Sequence, residues 1–162
     1  MPALCYDAFD TPIGPLTVAA DAQGRLRYVL FAQNLHTVKN REHWRHDPAV
    51  LASARQQLLE YLQGQRQRFD LELAPAGTPF QLDVWQSLAQ IPYGQTWSYA
   101  DLAARIQRPN ATRAVGAANG RNPLPLVLPC HRVIGRNGAL TGFSGGLQTK
   151  QALLEMEAAH AG

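Results

Sequence analysis

A chain of 162 residues with 46% hydrophobic content can build one ordinary domain or two small ones, and its net charge of +3 leaves nucleic acid open as a partner. Its two cysteines, Cys5 and Cys130, lie too far apart to form a spaced disulfide framework, so a reducing compartment fits better than secretion. No apolar run approaches membrane-spanning length and the N-terminus lacks a basic stretch followed by a long apolar core; a cytoplasmic protein without membrane association is expected.

The first half reads as strands followed by a helix. Leu4 to Phe9 and Leu16 to Ala20 flank the turn signals Thr11-Pro12 and Gly14-Pro15, and Arg25 to Phe31 follows Asp21-Ala22-Gln23-Gly24, which together predict a small antiparallel sheet. Asp47 as N-cap and Pro48 at the first helical position then open a helix. Its apolar stripe is Val50, Leu51, Ala54, Leu58 and Leu62, and Gly64 stops it. Residues 66–73 are a further candidate strand. His36, His43 and His46 sit in a polar stretch without cysteine partners, so surface histidines are expected there rather than a metal site.

The Pro/Gly-rich stretch from Ala74 to Pro79 marks a domain boundary, giving units 1–76 and 77–162. Charge divides at the same place. Residues 1–79 carry eight Lys/Arg and eight Asp/Glu, whereas residues 80–162 carry seven and four. Six arginines (Arg105, Arg108, Arg113, Arg121, Arg132, Arg136) and no acid fall between Leu102 and Arg136, a composition that suits phosphate contacts but also a solvated basic face.

The second half opens with Thr78 as N-cap, Pro79 and Gln81 as a capping box, and Phe80, Val84, Trp85 and Leu88 at helical spacing. Ser98 and Asp101 form a second capping box that starts a helix from Tyr99 to Ile106. A short turn, Gln107 to Asn110, leads to a third helix from Ala111 to Asn119, stopped by Gly120. Two short helices joined by a tight turn make a helix-turn-helix candidate. The third helix offers only small residues around Arg113. That composition fits close approach to a minor groove with one long side chain as a wedge, and it equally fits tight packing against a neighbouring helix.

Prolines at 123, 125 and 129 predict a stiff, extended run from Leu124 that delivers a lone thiol, Cys130, to one fixed point. His131 and Arg132 follow at once, and two strongly polar groups behind an apolar run are costly unless they have partners or work to do. Gly135 to Gly138 reads as a hairpin-like turn. Thr141 to Gly146 is a glycine-rich loop whose backbone and Ser144 could line a pocket beside the thiol. A last helix, Leu147 to Ala158, presents Leu147, Leu154 and Ala158 on one face. Glu157 lies one position away, and His131 is a sensible partner for it.

Pro129-Cys130-His131-Arg132-Val133, with Asn122-Pro123 upstream and Ser144-Gly145-Gly146-Leu147 downstream, resembles the active-site signature of the O6-alkylguanine-DNA alkyltransferases, bacterial type. The specific likeness runs from about Thr78 to Glu157. It implies an α/β (α+β) fold: an N-terminal ribonuclease-H-like small sheet with a helix, then a mostly helical, winged-helix-like DNA-binding domain. It implies repair of O6-alkylguanine, and of O4-methylthymine, in double-stranded DNA by a monomer without cofactor or metal, through nucleotide flipping and a single suicide transfer to Cys130.

The resemblance also assigns residues. His131 is the base acting through a bridging water, Glu157 orients it, and Asn122 is the hinge between recognition helix and active site. Arg113 is the finger that fills the stack, with Thr112, Ala114, Gly116, Ala117 and Arg121 on the same DNA-facing element. Tyr99 helps rotate the nucleotide and contacts the base; Cys130, Val133, Phe143 and Ser144 complete the base pocket. Phe143 departs from the tyrosine often found there and removes a hydroxyl from that pocket. The zinc site of some N-terminal domains is not supported, since only Cys5 is available. Two other classes stay open on the residues alone. A helix-turn-helix regulator explains the arginines but not Cys130, His131 and Glu157; a cysteine hydrolase explains the thiol and imidazole but not the DNA-binding half.

Overall fold

The computed structural model describes residues 3–161 and divides the chain into two compact units, one ending at Pro75 and the other starting at Ala76. In the first unit, β1 (Cys5–Phe9), β2 (Leu16–Ala20) and β3 (Leu26–Phe31) form an antiparallel meander, with Cys5 opposite Ala20 and Phe9 opposite Leu16. Gly14 closes the first turn at φ +102°, a conformation that needs glycine, by donating to the Thr11 carbonyl. A short strand, β4 (Arg45–His46), adds in parallel to β1 and gives the order β3-β2-β1-β4. The helix α1 (Ala52–Leu62) buries Ala54, Leu58, Tyr61 and Leu62, and Arg55 reaches from it to Asp7 of β1.

Two expectations for this unit need correction. The helix begins one turn late: residues 48–51 form a turn in which Asp47 Oδ1 caps Val50 N at 3.4 Å, so Val50 is exposed rather than part of the stripe. Residues 66–73 are not a strand. Gln57 satisfies the backbone on both sides of Asp70 with its side-chain amide, leaving only an isolated parallel bridge from Leu73 to Leu26. β4 and the 3₁₀ turns at Ala32–Thr37 and Arg41–His43 carried no apolar alternation to reveal them. His36, His43 and His46 are exposed, and His46 lies 3.3 Å from Asp7.

The second unit is built on α2 (Pro79–Leu88), α3 (Tyr99–Arg105), α4 (Thr112–Gly120) and α5 (Leu147–His160). Both capping boxes form as their spacing requires, Thr78 with Gln81 and Ser98 with Asp101. Leu88, Leu102, Val115, Leu124 and Leu153 are fully buried, each side chain contributing about 1.5–3 kcal/mol. Trp85 of α2 donates from Nε1 to the Ala118 carbonyl at 2.8 Å, which fixes α4 against α2. A two-stranded parallel ladder pairs β5 (Trp97–Ser98) with β6 (Val133–Ile134), tying the start of α3 to the segment that follows Cys130. No helix among the described residues is long and apolar enough to cross a membrane.

The buried face of α5 is Lys150, Leu153 and Glu157, not Leu147, Leu154 and Ala158. Leu147 is 50% exposed. Apolar residues were the wrong guide because this helix packs over a polar site, where charged side chains have partners.

Candidate active site

Asn122, just beyond α4, organises the loop that carries the thiol. Its Oδ1 accepts from Leu124 N at 2.9 Å and its Nδ2 donates to the Leu128 carbonyl at 2.8 Å, clamping both ends. The run between is not extended. Leu126 takes a left-handed φ of 76° and Leu128 N donates back to the Leu124 carbonyl. The prolines constrain their own φ and the residues before them, Asn122, Leu124 and Leu128, and leave Leu126 to make the turn.

The chain then enters a single 3₁₀ turn, Cys130–Arg132, in which all three side chains are buried. Burial pushes the Cys130 thiol up to about 11, while Asn122 and the Lys150 ammonium work in the other direction. His131 is fully buried and its Nε2 lies 2.7 Å from Glu157 Oε2. Burial holds the imidazole below its ordinary value despite the opposing pull of Glu157, with Arg132 and Lys150 adding to the depression. For Glu157 burial again disfavours the charge, but hydrogen bonds from His131 and Arg132 outweigh it and hold the carboxyl at about 2. Gly94 N also reaches Oε1 at 3.2 Å.

Two residues here were missed as members of the site. Arg132 was grouped with the phosphate-facing arginines, yet it is 6% exposed and its Nε and one terminal nitrogen grip Glu157 at 2.7 and 2.9 Å. The other five arginines of that group are exposed. The signal was already present in its position directly behind an apolar run. Lys150 is fully buried and donates to the Val133 carbonyl at 2.6 Å and the Thr141 carbonyl at 3.1 Å, joining β6 to the glycine-rich loop. Its spacing of seven from Glu157 placed both on one helical face.

Around this centre, Val133 is buried, Phe143 and Ser144 are half-buried, and the Phe143 ring stands edge-on to His131 with centroids 6.3 Å apart. Tyr99, at the start of α3, hydrogen-bonds through its hydroxyl to Thr141 of the glycine-rich loop. On α4, Thr112, Arg113, Ala114 and Ala117 are exposed, as is Arg121 just after it. Gly116 is half-buried; a side chain there would meet the Tyr99 ring at 3.7 Å. Small residues thus serve both readings of this helix: Val115, Ala118 and Asn119 face inward, and the remainder faces solvent.

A buried thiol beside a histidine–carboxylate pair, in the same unit as a pair of short helices joined by a tight turn, defines a protein that couples cysteine chemistry to a helix-turn-helix surface. Comparison with known proteins makes this specific. Residues 4–75 match the family model described as 6-O-methylguanine DNA methyltransferase, ribonuclease-like domain, and residues 79–159 match that of the DNA binding domain. The chain belongs to the 6-O-methylguanine DNA methyltransferase family. Similar proteins include the methylated-DNA–protein-cysteine methyltransferase of Methanosarcina acetivorans, 45% identical over 94% of this chain and 97% of that protein. The constitutive one of Bacillus subtilis is 47% identical over 94% of each. Among solved structures, Mycobacterium tuberculosis OGT in complex with DNA matches with a TM-score of 0.89 at 45% identity, covering 96% of this chain and 94% of that one.

Proposed function

We propose that this protein is a DNA-repair methyltransferase that takes the alkyl group from O6-alkylguanine in duplex DNA onto its own Cys130, irreversibly and once per molecule. The observation that carries this reading is the buried Cys130 thiol adjoining the fully buried His131–Glu157 pair. The names of its relatives support transfer from methylated DNA to a protein cysteine, and the complex of the tuberculosis relative supports DNA as partner.

An O-alkyl carbon needs a thiolate as nucleophile, and a thiol pushed up to about 11 is almost wholly protonated at neutral pH, so its proton must leave as the reaction proceeds. The neutral His131 ring carries its proton on Nε2, donated to Glu157, which leaves the basic lone pair on Nδ1. On this reading Nδ1 takes the thiol proton through a bridging water. The sulfur–carbon bond forms as the carbon–oxygen bond breaks, and guanine leaves with that electron pair and is neutralised by one proton. The net change is exchange of the thiol proton for the alkyl group, which balances without cofactor or metal. The resulting thioether has no activated leaving group, so the acceptor is consumed.

The target atom lies inside the duplex, and extruding the nucleotide costs a few kcal/mol. Arg113 is the proposed wedge, with Thr112, Ala114, Gly116, Ala117 and Arg121 along the DNA and Asn122 coupling this helix to the thiol loop. Tyr99, Val133, Phe143 and Ser144 are proposed to receive the base, O4-methylthymine included. We place the protein in the cytoplasm as a monomer, a setting that suits its two free thiols.

Mixing the protein with excess O6-methylguanine duplex should add one methyl group per molecule by intact mass, mapped to Cys130, and product should stop at one equivalent. Cys130→Ala should bind the lesion and transfer nothing. Continued turnover, or a label on Cys5, would overturn the assignment.

A further inference from the structure

Arg132 is the one member of the six-arginine group drawn into the interior, and its guanidinium is fully engaged there. Nε donates to Glu157 Oε1 at 2.7 Å, one terminal nitrogen to Oε2 at 2.9 Å, and the other to the Ile91 carbonyl at 2.7 Å. The Tyr93 ring lies 5.4 Å from its central carbon. This bidentate fork leaves the carboxylate little freedom to rotate, and the oxygen it shares with His131 is Oε2.

We propose that Arg132 is a positioning residue: it fixes Glu157 as an anion, aims Oε2 at His131, and so sets the acidity and orientation of the base that deprotonates Cys130. The proposal rests on the roles given above to Cys130 and His131. The charged and titratable groups around the imidazole are Cys130 and Arg132 from its own turn and Glu157 and Lys150 from α5, while Tyr93, from the segment after α2, faces Glu157 and Arg132. Glu157 favours the imidazolium, while Arg132 and Lys150 disfavour it. Removing the Arg132 charge therefore lets His131 keep its proton to higher pH. Replacing the fork by a lysine keeps the charge but frees the carboxylate to turn. The two variants separate charge from geometry.

The test is single-turnover transfer from free O6-benzylguanine across pH, with the His131 ring followed by nitrogen NMR. Arg132→Lys should be slower by about tenfold or more with its acid limb in place. Arg132→Gln should be slow as well, with the acid limb and the His131 titration both displaced upward by about one pH unit. Wild-type protein should show an Nε2-protonated ring that titrates below the ordinary histidine range, a measurement that stands even if Arg132→Gln does not fold. Wild-type rates and an unmoved His131 titration in the folded variants, or a wild-type ring titrating above the ordinary range, would overturn the proposal. A His131→Phe protein that transfers at the wild-type rate would instead sink the underlying assignment of the base.

Discussion

Glu157 accepts from His131, from two nitrogens of Arg132 and from the Gly94 backbone, four donors on one buried carboxylate. Its pairing with His131 was legible in the sequence, because a carboxylate and an imidazole that must both be buried need each other. The share held by Arg132 was not, since counting arginines by sign cannot tell a surface cation from an internal one. The arrangement fixes how stability depends on pH. The Glu157 carboxyl is depressed to about 2, so its stabilisation is present above the unfolded value and is lost as pH falls toward 2; His131, also depressed, adds loss in the same direction below its ordinary range. Acid unfolding followed by tryptophan fluorescence should therefore deepen from about pH 6 downward. Glu157→Gln should flatten that slope while lowering stability at neutral pH by about 3–5 kcal/mol, because Arg132 is left as an uncompensated buried charge. An unchanged acid slope in a folded Glu157→Gln protein would contradict the ion pair.

Among the elements, those with local chemistry at their ends were readable and those positioned by tertiary partners were not. The capping boxes of α2 and α3 mark their starts in the sequence as in the fold. α1 starts late because Asp47 caps a turn before the helix, and α5 turns a face chosen by Lys150 and Glu157 rather than by leucines. α4 is the informative case: its length and limits were readable within a residue, but its small residues fitted packing and DNA approach equally, and the fold turns Val115, Ala118 and Asn119 inward while Ala114 and Ala117 stay exposed. Arg113 is its one long exposed side chain. Arg113→Ala should slow repair of a lesion in duplex DNA by about tenfold or more beyond any loss on free O6-benzylguanine, since only the duplex substrate must be extruded. Equal losses on both substrates would remove the wedge from the mechanism.

At the scale of the whole molecule, the sequence put the entire +3 into the second unit, and the fold refines what that charge is for. Arg132 and Lys150 are buried and hydrogen-bonded to the interior, so they are withdrawn from any external partner. Arg105, Arg108, Arg113, Arg121 and Arg136 remain exposed, and Arg105 is further held over the Trp97 ring with its central carbon 4.5 Å from the centroid. Each phosphate neutralised releases counterions, giving a slope of about −0.9 in log affinity against log salt concentration per contact. Five exposed arginines at most therefore limit the arginine share of that slope to about −4.5. Titrating undamaged duplex over a range of salt should give a clearly negative slope. Arg121→Ala should make it shallower by about 0.9 if that side chain meets a phosphate, whereas Arg132→Lys should leave it unchanged. A flat salt response would remove DNA from the exposed cluster, and a slope altered by Arg132→Lys would show that this arginine is not confined to the interior.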